Sequence, residues 1–454
     1  MSLCYHIVTY GCQMNVHDSE VMAGLLEAQG YFPAPSLEEA DVIVLNTCCV
    51  RETAEERILG RLAELGRLRR RNPNLIVVLA GCLGQQEGTV ERLRRRSAPV
   101  DVLMGTHNLH RLPDLVEEAR RTRDLREGGP LVEVWPDGLA QTRELREGLP
   151  ARRDRGVRAW VTIMYGCDNF CSYCIVPYVR GRERSRLPED IVREVEDLAS
   201  RGYREVVLLG QNVNSYGKDL DLGPGRSFSA LLRRLDRVPG LARLRYTTSH
   251  PKDFTEDIIA VVSESEHVCE NFHLPAQAGS DRILRLMNRG YTRKQYLDLL
   301  DRIRRHVPNA AITTDLIVGF PGETDEDFRD TLALVREARF ASAFMFAYSP
   351  RRGTPAATLP DQVPHEVKLA RLHRLIEIQN EVSLEQNRAE VGRVLSVLVE
   401  GPAEKDPGRS AGRTRTNKLV LLKAPEPPED LVGQEVPVLI ERATTWVLEG
   451  RAVT

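Results

Sequence analysis

The chain has 454 residues, and 63 lysines and arginines nearly balance 65 acidic residues, for a net charge of −2. That length suits about three domains of ~100–200 residues, and the balance excludes a protein that binds nucleic acid through overall charge alone. No apolar run approaches the ~18 residues needed to cross a bilayer, so no membrane association is expected, and Met1 to Gly11 shows no secretory pattern. Nine cysteines in so charged a chain favour metal or redox chemistry over disulfides and point to the cytosol. Only seven of the 63 cations are lysine, a bias spread over the whole chain that marks no single site.

In the N-terminal third, short apolar strands alternate with helical patterns, the signature of an α/β unit with a parallel sheet. Strands are expected at His6 to Tyr10, Asp41 to Asn46, Leu75 to Ala80 and Val100 to Gly105. Helices are expected near Asp18 to Gln29, Glu52 to Arg70 and Glu87 to Arg96. Cysteines follow the first three strands: Cys12 after Tyr10-Gly11, Cys48 after Asn46-Thr47, and Cys82 after Ala80-Gly81. Ligands of open parallel sheets sit outside the carboxyl ends of the strands, so three thiols would meet at one edge with no obvious fourth ligand. Spacing alone does not choose between Cys48 and its neighbour Cys49. Cys4 is read as a spare cysteine and Cys269 as a core residue. The stretch from Arg120 to Arg155, rich in Arg, Glu, Gly and Pro, reads as a solvated linker, with an RNA-contacting arm as the alternative.

From Val157 the alternation resumes, with strands expected at Arg158 to Met164, Glu205 to Gly210, Ala242 to Thr247, Val268 to His273, Ala310 to Val318 and Phe340 to Tyr348. These six β–α repeats suit an open, partial (β/α) barrel. After the first strand comes Cys167-Asp168-Asn169-Phe170-Cys171-Ser172-Tyr173-Cys174, at the carboxyl-end mouth where barrel enzymes keep their chemistry. Three thiolates in a C-x3-C-x2-C spacing grip a metal centre and leave one corner open. A closed structural zinc site takes four protein ligands, as does a four-cysteine iron–sulfur cluster. Polar groups after later strands, Gln211, Asn212, Ser249 and Gln277, are candidates for holding a small cofactor or the substrate. Each serves equally well as a helix cap or turn. His250 and His273 are read as structural histidines.

The cysteine loop with its flanks, Tyr165-Gly166-Cys167 and Ile175-Val176-Pro177-Tyr178-Val179-Arg180-Gly181-Arg182-Glu183-Arg184-Ser185-Arg186, resembles the radical S-adenosylmethionine (SAM) superfamily and, within it, the tRNA methylthiotransferases. The resemblance implies that Cys167, Cys171 and Cys174 hold a catalytic 4Fe–4S cluster whose open iron binds SAM. It implies equally that Cys12, Cys48 and Cys82 hold an auxiliary 4Fe–4S cluster that carries or supplies sulfur, Cys48 being favoured by its place in Asn46-Thr47-Cys48. Two SAM molecules are used per turnover, one cleaved to a radical and one giving its methyl group. Leu208-Leu209-Gly210-Gln211-Asn212-Val213-Asn214-Ser215-Tyr216-Gly217 resembles the branch acting on tRNA. In His273-Leu274-Pro275-Ala276-Gln277-Ala278-Gly279-Ser280, Ala278 stands where the family usually has serine.

After a long helical pattern from Pro364 to about Ala389, short β segments are expected at Val394 to Glu400, Thr416 to Lys423, Glu435 to Glu441 and Thr445 to Val453, which suits a small β-barrel. It resembles a TRAM domain, a nucleic-acid-binding barrel. Arg413, Arg415 and Lys418 form a basic patch able to engage phosphates; a solvated face is the alternative.

The expected organisation is an N-terminal α/β domain (1–130), a linker (131–156), a partial radical-SAM barrel (157–388) and a TRAM-like β-barrel (389–454). The implied activity is insertion of a methylthio group at C2 of N6-isopentenyladenosine at position 37, in the anticodon stem-loop of tRNA, with an electron donor such as a flavodoxin or ferredoxin. The alternatives are the same chemistry on N6-threonylcarbamoyladenosine or a ribosomal-protein aspartate, and a non-catalytic RNA-binding protein stabilised by zinc.

Overall fold

A computed structural model describes residues 3–48, 52–95, 98–123, 129–135, 147–153, 156–220 and 227–453. Cys49 lies outside the described residues, as does part of the expected linker.

The N-terminal sheet contains β1 (Cys4–Tyr10), β2 (Phe32–Pro33), β3 (Val42–Thr47), β4 (Ile76–Gly81), β5 (Val102–Met104) and β6 (Leu131–Glu133), in the order β2-β1-β3-β4-β5-β6. All pairings are parallel. Every residue of β3 and β4 is buried, as expected of parallel strands covered on both faces. Successive side chains point to opposite sides. Val42 and Val44 accordingly pack with Met22, Leu26 and Leu112, while Ile43 and Leu45 pack with Ile58, Leu62 and Leu65. The strand Leu131–Glu133 corrects the linker reading, since it closes the edge of this sheet against β5. Three residues are too few to show a period, which is why composition alone made them a linker.

The central unit holds β7 (Arg158–Thr162), β8 (Met164–Tyr165), β9 (Arg184–Ser185), β10 (Glu205–Leu209), β11 (Arg243–Tyr246), β12 (Asn271–His273), β13 (Ala311–Val318) and β14 (Ser342–Ala347). β7-β10-β11 and β12-β13-β14 form two parallel three-stranded sheets. A parallel bridge from Leu244 to Val268 links them into one open, six-stranded barrel wall. β8 and β9 form a short antiparallel ribbon at its mouth.

The chain ends in a closed barrel of β15 (Val394–Ala403), β16 (Asp406–Thr414), β17 (Leu419–Lys423), β18 (Glu435–Ala443) and β19 (Val447–Ala452). β16 has no counterpart in the sequence reading. Its inward residues are Ser410, Gly412 and Thr414, so it lacks apolar alternation. A Cβ at Gly412 would lie 2.4 Å from the Leu398 carbonyl oxygen, so only glycine fits there. The barrel docks on β11 through two buried arginines. Arg243 donates to Glu435 (2.8 Å) and to the backbone oxygens of Arg413 and Ser396. Arg245 donates to the Thr414 and Arg415 carbonyls while pairing with Glu205.

Candidate functional site: two cysteine triads joined by one helix

The first triad forms where three neighbouring strands end. Cys12 follows β1 and caps the helix Gln13–Ala28, Cys48 follows β3, and Cys82 follows β4 and opens the short helix Cys82–Gln85. The helix Gln13–Ala28 starts earlier than its apolar periodicity suggested, which places Cys12 at the positive end of its dipole. Two glycines bring the loops together. Gly11 (φ +153°) lies so close to Cys48 that an added Cβ would sit 2.8 Å from Cys48 Cβ. Gly81 (φ +89°) packs on Thr47, where a Cβ would meet the backbone oxygen at 2.5 Å. The fully buried Asn15 and Asn46 tie the Cys12 and Cys48 loops: Asn15 Nδ2 donates to Asn46 Oδ1 (3.2 Å) and Asn46 Nδ2 donates to the Asn15 carbonyl (2.7 Å).

The second triad lies on one loop at the barrel mouth. Gly166 (φ +73°) turns the chain after β8, and the Cys167 N–H donates to the Gly181 carbonyl at 3.0 Å. Phe170 takes a left-handed φ of +45° and is held by Asn288 Nδ2, which donates to its carbonyl at 3.1 Å. Ser172 Oγ donates to the Leu286 carbonyl (2.7 Å), and Asp168 accepts from Arg182 and from the Glu183 N–H. Burial pushes the Cys174 thiol up to about 12 and the Cys167 thiol to about 11. Thiolates there need a metal to stabilise them, and metal binding would release the protons.

Each triad has a buried arginine. Arg180 Nε donates to Cys82 Sγ at 3.3 Å, and its Nη2 donates to Asp18 Oδ2 at 3.0 Å. Arg289 Nη1 donates to Cys171 Sγ at 3.3 Å, with Tyr173, Tyr291 and the Pro275 carbonyl as its other partners. Burial works against the charge on Arg180, but Cys82, Asp18 and Cys12 outweigh it and hold the guanidinium protonated. A buried cation next to sulfur fits an anionic, thiolate-held group. Arg180 ends the helix Val176–Arg180, which starts two residues after Cys174. Ile175 and Val179 of this segment pack directly on Cys82. Met14 and Cys12 pack against Val207, Leu209 and Trp160 of the barrel. One short segment thus connects the two triads.

Among the described residues, no three His, Cys, Asp or Glu side chains converge on a single-ion position. A closed zinc site needs its ligands on one ion.

Of the small-molecule candidates, Asn212 is committed to structure: it donates to Asp253 (2.8 Å) and accepts from the His250 N–H (3.1 Å). Gln211 donates to the Met14 sulfur across the domain boundary. Ser249 Oγ and Gln277 Oε1 are buried with no protein partner, as is His250 Nε2. Burial, with Arg289 and Lys252 nearby, lowers the His250 pKa to about 2. His250 is therefore neutral, and since Nδ1 accepts from the Lys252 N–H, Nε2 carries its proton. The His250 ring lies 5.7 Å from Tyr291, whose hydroxyl donates to the Ala276 carbonyl next to Gln277. His250 thus lies beside Tyr291 and within the field of Arg289, and a polar cofactor would complete such unmatched buried groups.

The residues of the basic patch pair with acids of this chain. Arg415 makes a bidentate pair with Glu270 (3.0 and 2.8 Å), Lys418 pairs with Glu390 (3.2 Å), and Arg413 lies 3.4 Å from Glu400. Arg415 also donates to the Glu266 and Val268 carbonyls and so helps dock the small barrel. Cys269 is buried as expected, beside Arg245. Sequence reasoning assigned no role to Arg180, Arg289, Asn15 or Asn46; their partners lie far along the chain, and no local pattern announces them.

Residues 161–335 match the radical SAM superfamily, 388–453 the TRAM domain, and 4–105 a family described as "Uncharacterized protein family UPF0004". Among solved structures, the chain resembles the radical SAM methyltransferase TsrM from Kitasatospora setae, with a TM-score of 0.57 and 18% identity over 79% of this chain and 77% of that one. That likeness is one of fold. The relative from Carboxydothermus hydrogenoformans named tRNA-2-methylthio-N(6)-dimethylallyladenosine synthase is 52% identical over 98% of both chains. A relative of the same name from Moorella thermoacetica is 52% identical over 99% of this chain and 98% of its own. The chain belongs to the tRNA-2-methylthio-N(6)-dimethylallyladenosine synthase family.

Proposed function

We infer that this protein inserts a methylthio group at C2 of N6-isopentenyladenosine at position 37 of tRNA. The full-length 52% identity to synthases of that name carries the inference, and two cysteine triads joined by one helix are the apparatus it needs. Cys167, Cys171 and Cys174 hold a 4Fe–4S cluster that binds SAM, and Cys12, Cys48 and Cys82 hold an auxiliary 4Fe–4S cluster. When bound, these groups and SAM supply what acid–base residues cannot: one-electron activation of an unreactive C–H bond, a sulfur atom and a methyl group.

The chain's own residues position and shield that chemistry. Arg289 and Arg180 each donate a hydrogen bond to a cysteine sulfur and balance negative charge at their triad. Ser249, the Nε2–H of neutral His250 and Gln277 offer polar atoms for SAM at the barrel mouth. The helix Val176–Arg180 fixes one triad against the other, so that substrate activation and sulfur delivery face one space. An external donor of the flavodoxin or ferredoxin class provides electrons. Among the described residues no helix is long and apolar enough to cross a membrane, and a cytoplasmic setting is the one in which a tRNA substrate is met.

The test is to reconstitute the protein without oxygen and supply SAM, sulfide and a reductant. Two tRNAs would be offered, carrying isopentenyladenosine or threonylcarbamoyladenosine, and their nucleosides analysed by mass spectrometry. A methylthio gain on the isopentenyl nucleoside alone is expected. A gain only on the other would move the substrate assignment.

A further inference from the structure

The loop that carries Cys167, Cys171 and Cys174 turns an apolar side outward. Phe170, bonded directly to Cys171, is 38% exposed, and Tyr178 of the helix Val176–Arg180 is 49% exposed. Their rings meet edge to face at 6.1 Å, and the Arg182 guanidinium lies over the Phe170 ring at 5.6 Å. Leu286, 40% exposed, is brought to the same loop by backbone contacts. Ser172 donates to the Leu286 and Met287 carbonyls, and Asn288 donates to the Asn169 and Phe170 carbonyls. Large apolar side chains exposed together mark an interaction site.

Cations stand around this patch. Arg182 is exposed and paired with Asp168. Arg285 lies in the last turn of the helix Asp281–Leu286. Lys252 lies beside Gly290, where a Cβ would stand 3.7 Å from its Cδ, and within electrostatic reach of Asp168. Arg285 and Lys252 are exposed, and neither has an acid partner among the described residues. Two acids at this face are already held: Asp168 by Arg182, and Glu183 by Asn212 and the Asp168 N–H.

The function inferred above sets the chemistry of an occupant. Each SAM cleaved consumes one electron from outside the chain, and this loop is the surface bonded to the three central thiols. Aromatic side chains with arginine at the edge have the composition of protein interfaces, and electron-transfer encounters are small, below about 1,200 Å². The whole chain carries only −2, so attraction to an acidic partner is local to this rim. Three cations around an apolar centre suit such a partner better than a phosphate backbone, which takes about 6–10 contacts.

We propose that the outer side of the cysteine loop, Phe170, Tyr178 and Leu286 rimmed by Arg182, Lys252 and Arg285, docks an acidic one-electron carrier protein. The carrier loses one electron, the central site gains it, and no bond forms between the two proteins. The proposal rests on the function inferred above and adds where its donor is received.

Photoreduced flavodoxin, an acidic flavin carrier, would be titrated into the anaerobically reconstituted full-length protein with SAM, at low and at high salt. Formation of 5′-deoxyadenosine gives the half-saturating carrier concentration. Fluorescence anisotropy of oxidised flavodoxin gives its dissociation constant without turnover. Dithionite, which needs no docking face, is the parallel reductant. The double variant Lys252→Gln, Arg285→Glu should raise both constants by about tenfold at low salt and about twofold at high salt. Tyr178→Ala should raise both by about fivefold at either salt, and Tyr178→Phe should restore them. Iron content and dithionite-driven cleavage should match the unmutated protein in every variant.

Unchanged carrier constants in both the double variant and Tyr178→Ala overturn the proposal. An equal loss with dithionite also overturns it, since the patch then supports the loop and not a partner. Weakened tRNA binding with carrier constants intact overturns it and assigns the face to RNA. Cleavage by dithionite with no response to the carrier in the unmutated protein overturns the proposal and leaves the parent function standing. No cleavage with either reductant overturns both.

Discussion

The two triads reach similar surroundings by opposite routes. The central one takes its cysteines from a single loop, Cys167 to Cys174, held by the Gly181 carbonyl and by Leu286, Asn288 and Arg289 of the barrel. The N-terminal one gathers Cys12, Cys48 and Cys82 from three adjacent strand ends, and it is completed by Arg180 from another domain. A site built on one loop depends on that loop's sequence. A site built on strand ends depends on register, on the close approach at Gly11 and Gly81, and on the packing of two domains.

The sharpest break between them is chemical. Cys171→Ala should abolish SAM cleavage, read as loss of 5′-deoxyadenosine, whereas Cys82→Ala should retain cleavage and lose sulfur insertion. A smaller effect separates the two arginines. Arg180→Gln leaves Asp18 buried without its cation and should weaken the N-terminal cluster by about 10–100-fold, measured as iron retained under a chelator, with the central cluster unaffected. Arg289→Gln should do the reverse. Gly81→Ala should destabilise the protein by about 1–3 kcal/mol, measured by denaturant unfolding, because φ is +89° and the new Cβ would meet the Asn46 side chain and the Thr47 backbone at 2.5 Å. The smallest effect is expected of Ser249→Ala, which removes a single hydrogen-bonding group and should weaken SAM binding by several-fold, about 1 kcal/mol, in a direct titration.

The same contrast explains what could be read in the sequence. Strand runs such as Val42-Ile43-Val44-Leu45 and the spacing of Cys167, Cys171 and Cys174 are local signals, and the fold places them as expected. The strand-end rule brought Cys12, Cys48 and Cys82 to one edge without any coordinates. The pairs that decide the site are non-local: Arg180 meets Cys82 and Asp18 only once two domains pack. Arg415 looked like part of an RNA-facing patch because its partner Glu270 lies on a different domain. Arg243 and Arg245, in an apparently ordinary strand, are buried because the small barrel covers them. β16 escaped detection because Ser410, Gly412 and Thr414 fill its inner face. Phe344 and Phe346 fall within an expected strand, but only the register with β13 puts them on the face shared with Asp315 and Ile317.

The central claim is that each triad holds its own cluster, and that only one of them cleaves SAM. Iron content and 5′-deoxyadenosine formation, measured on anaerobically reconstituted protein and on the triple variant Cys12→Ala, Cys48→Ala, Cys82→Ala, test it most directly. The account predicts about eight irons per chain falling to about four, with SAM cleavage kept and methylthio transfer lost. An unchanged iron content in the triple variant, or stoichiometric zinc in place of iron, would contradict it.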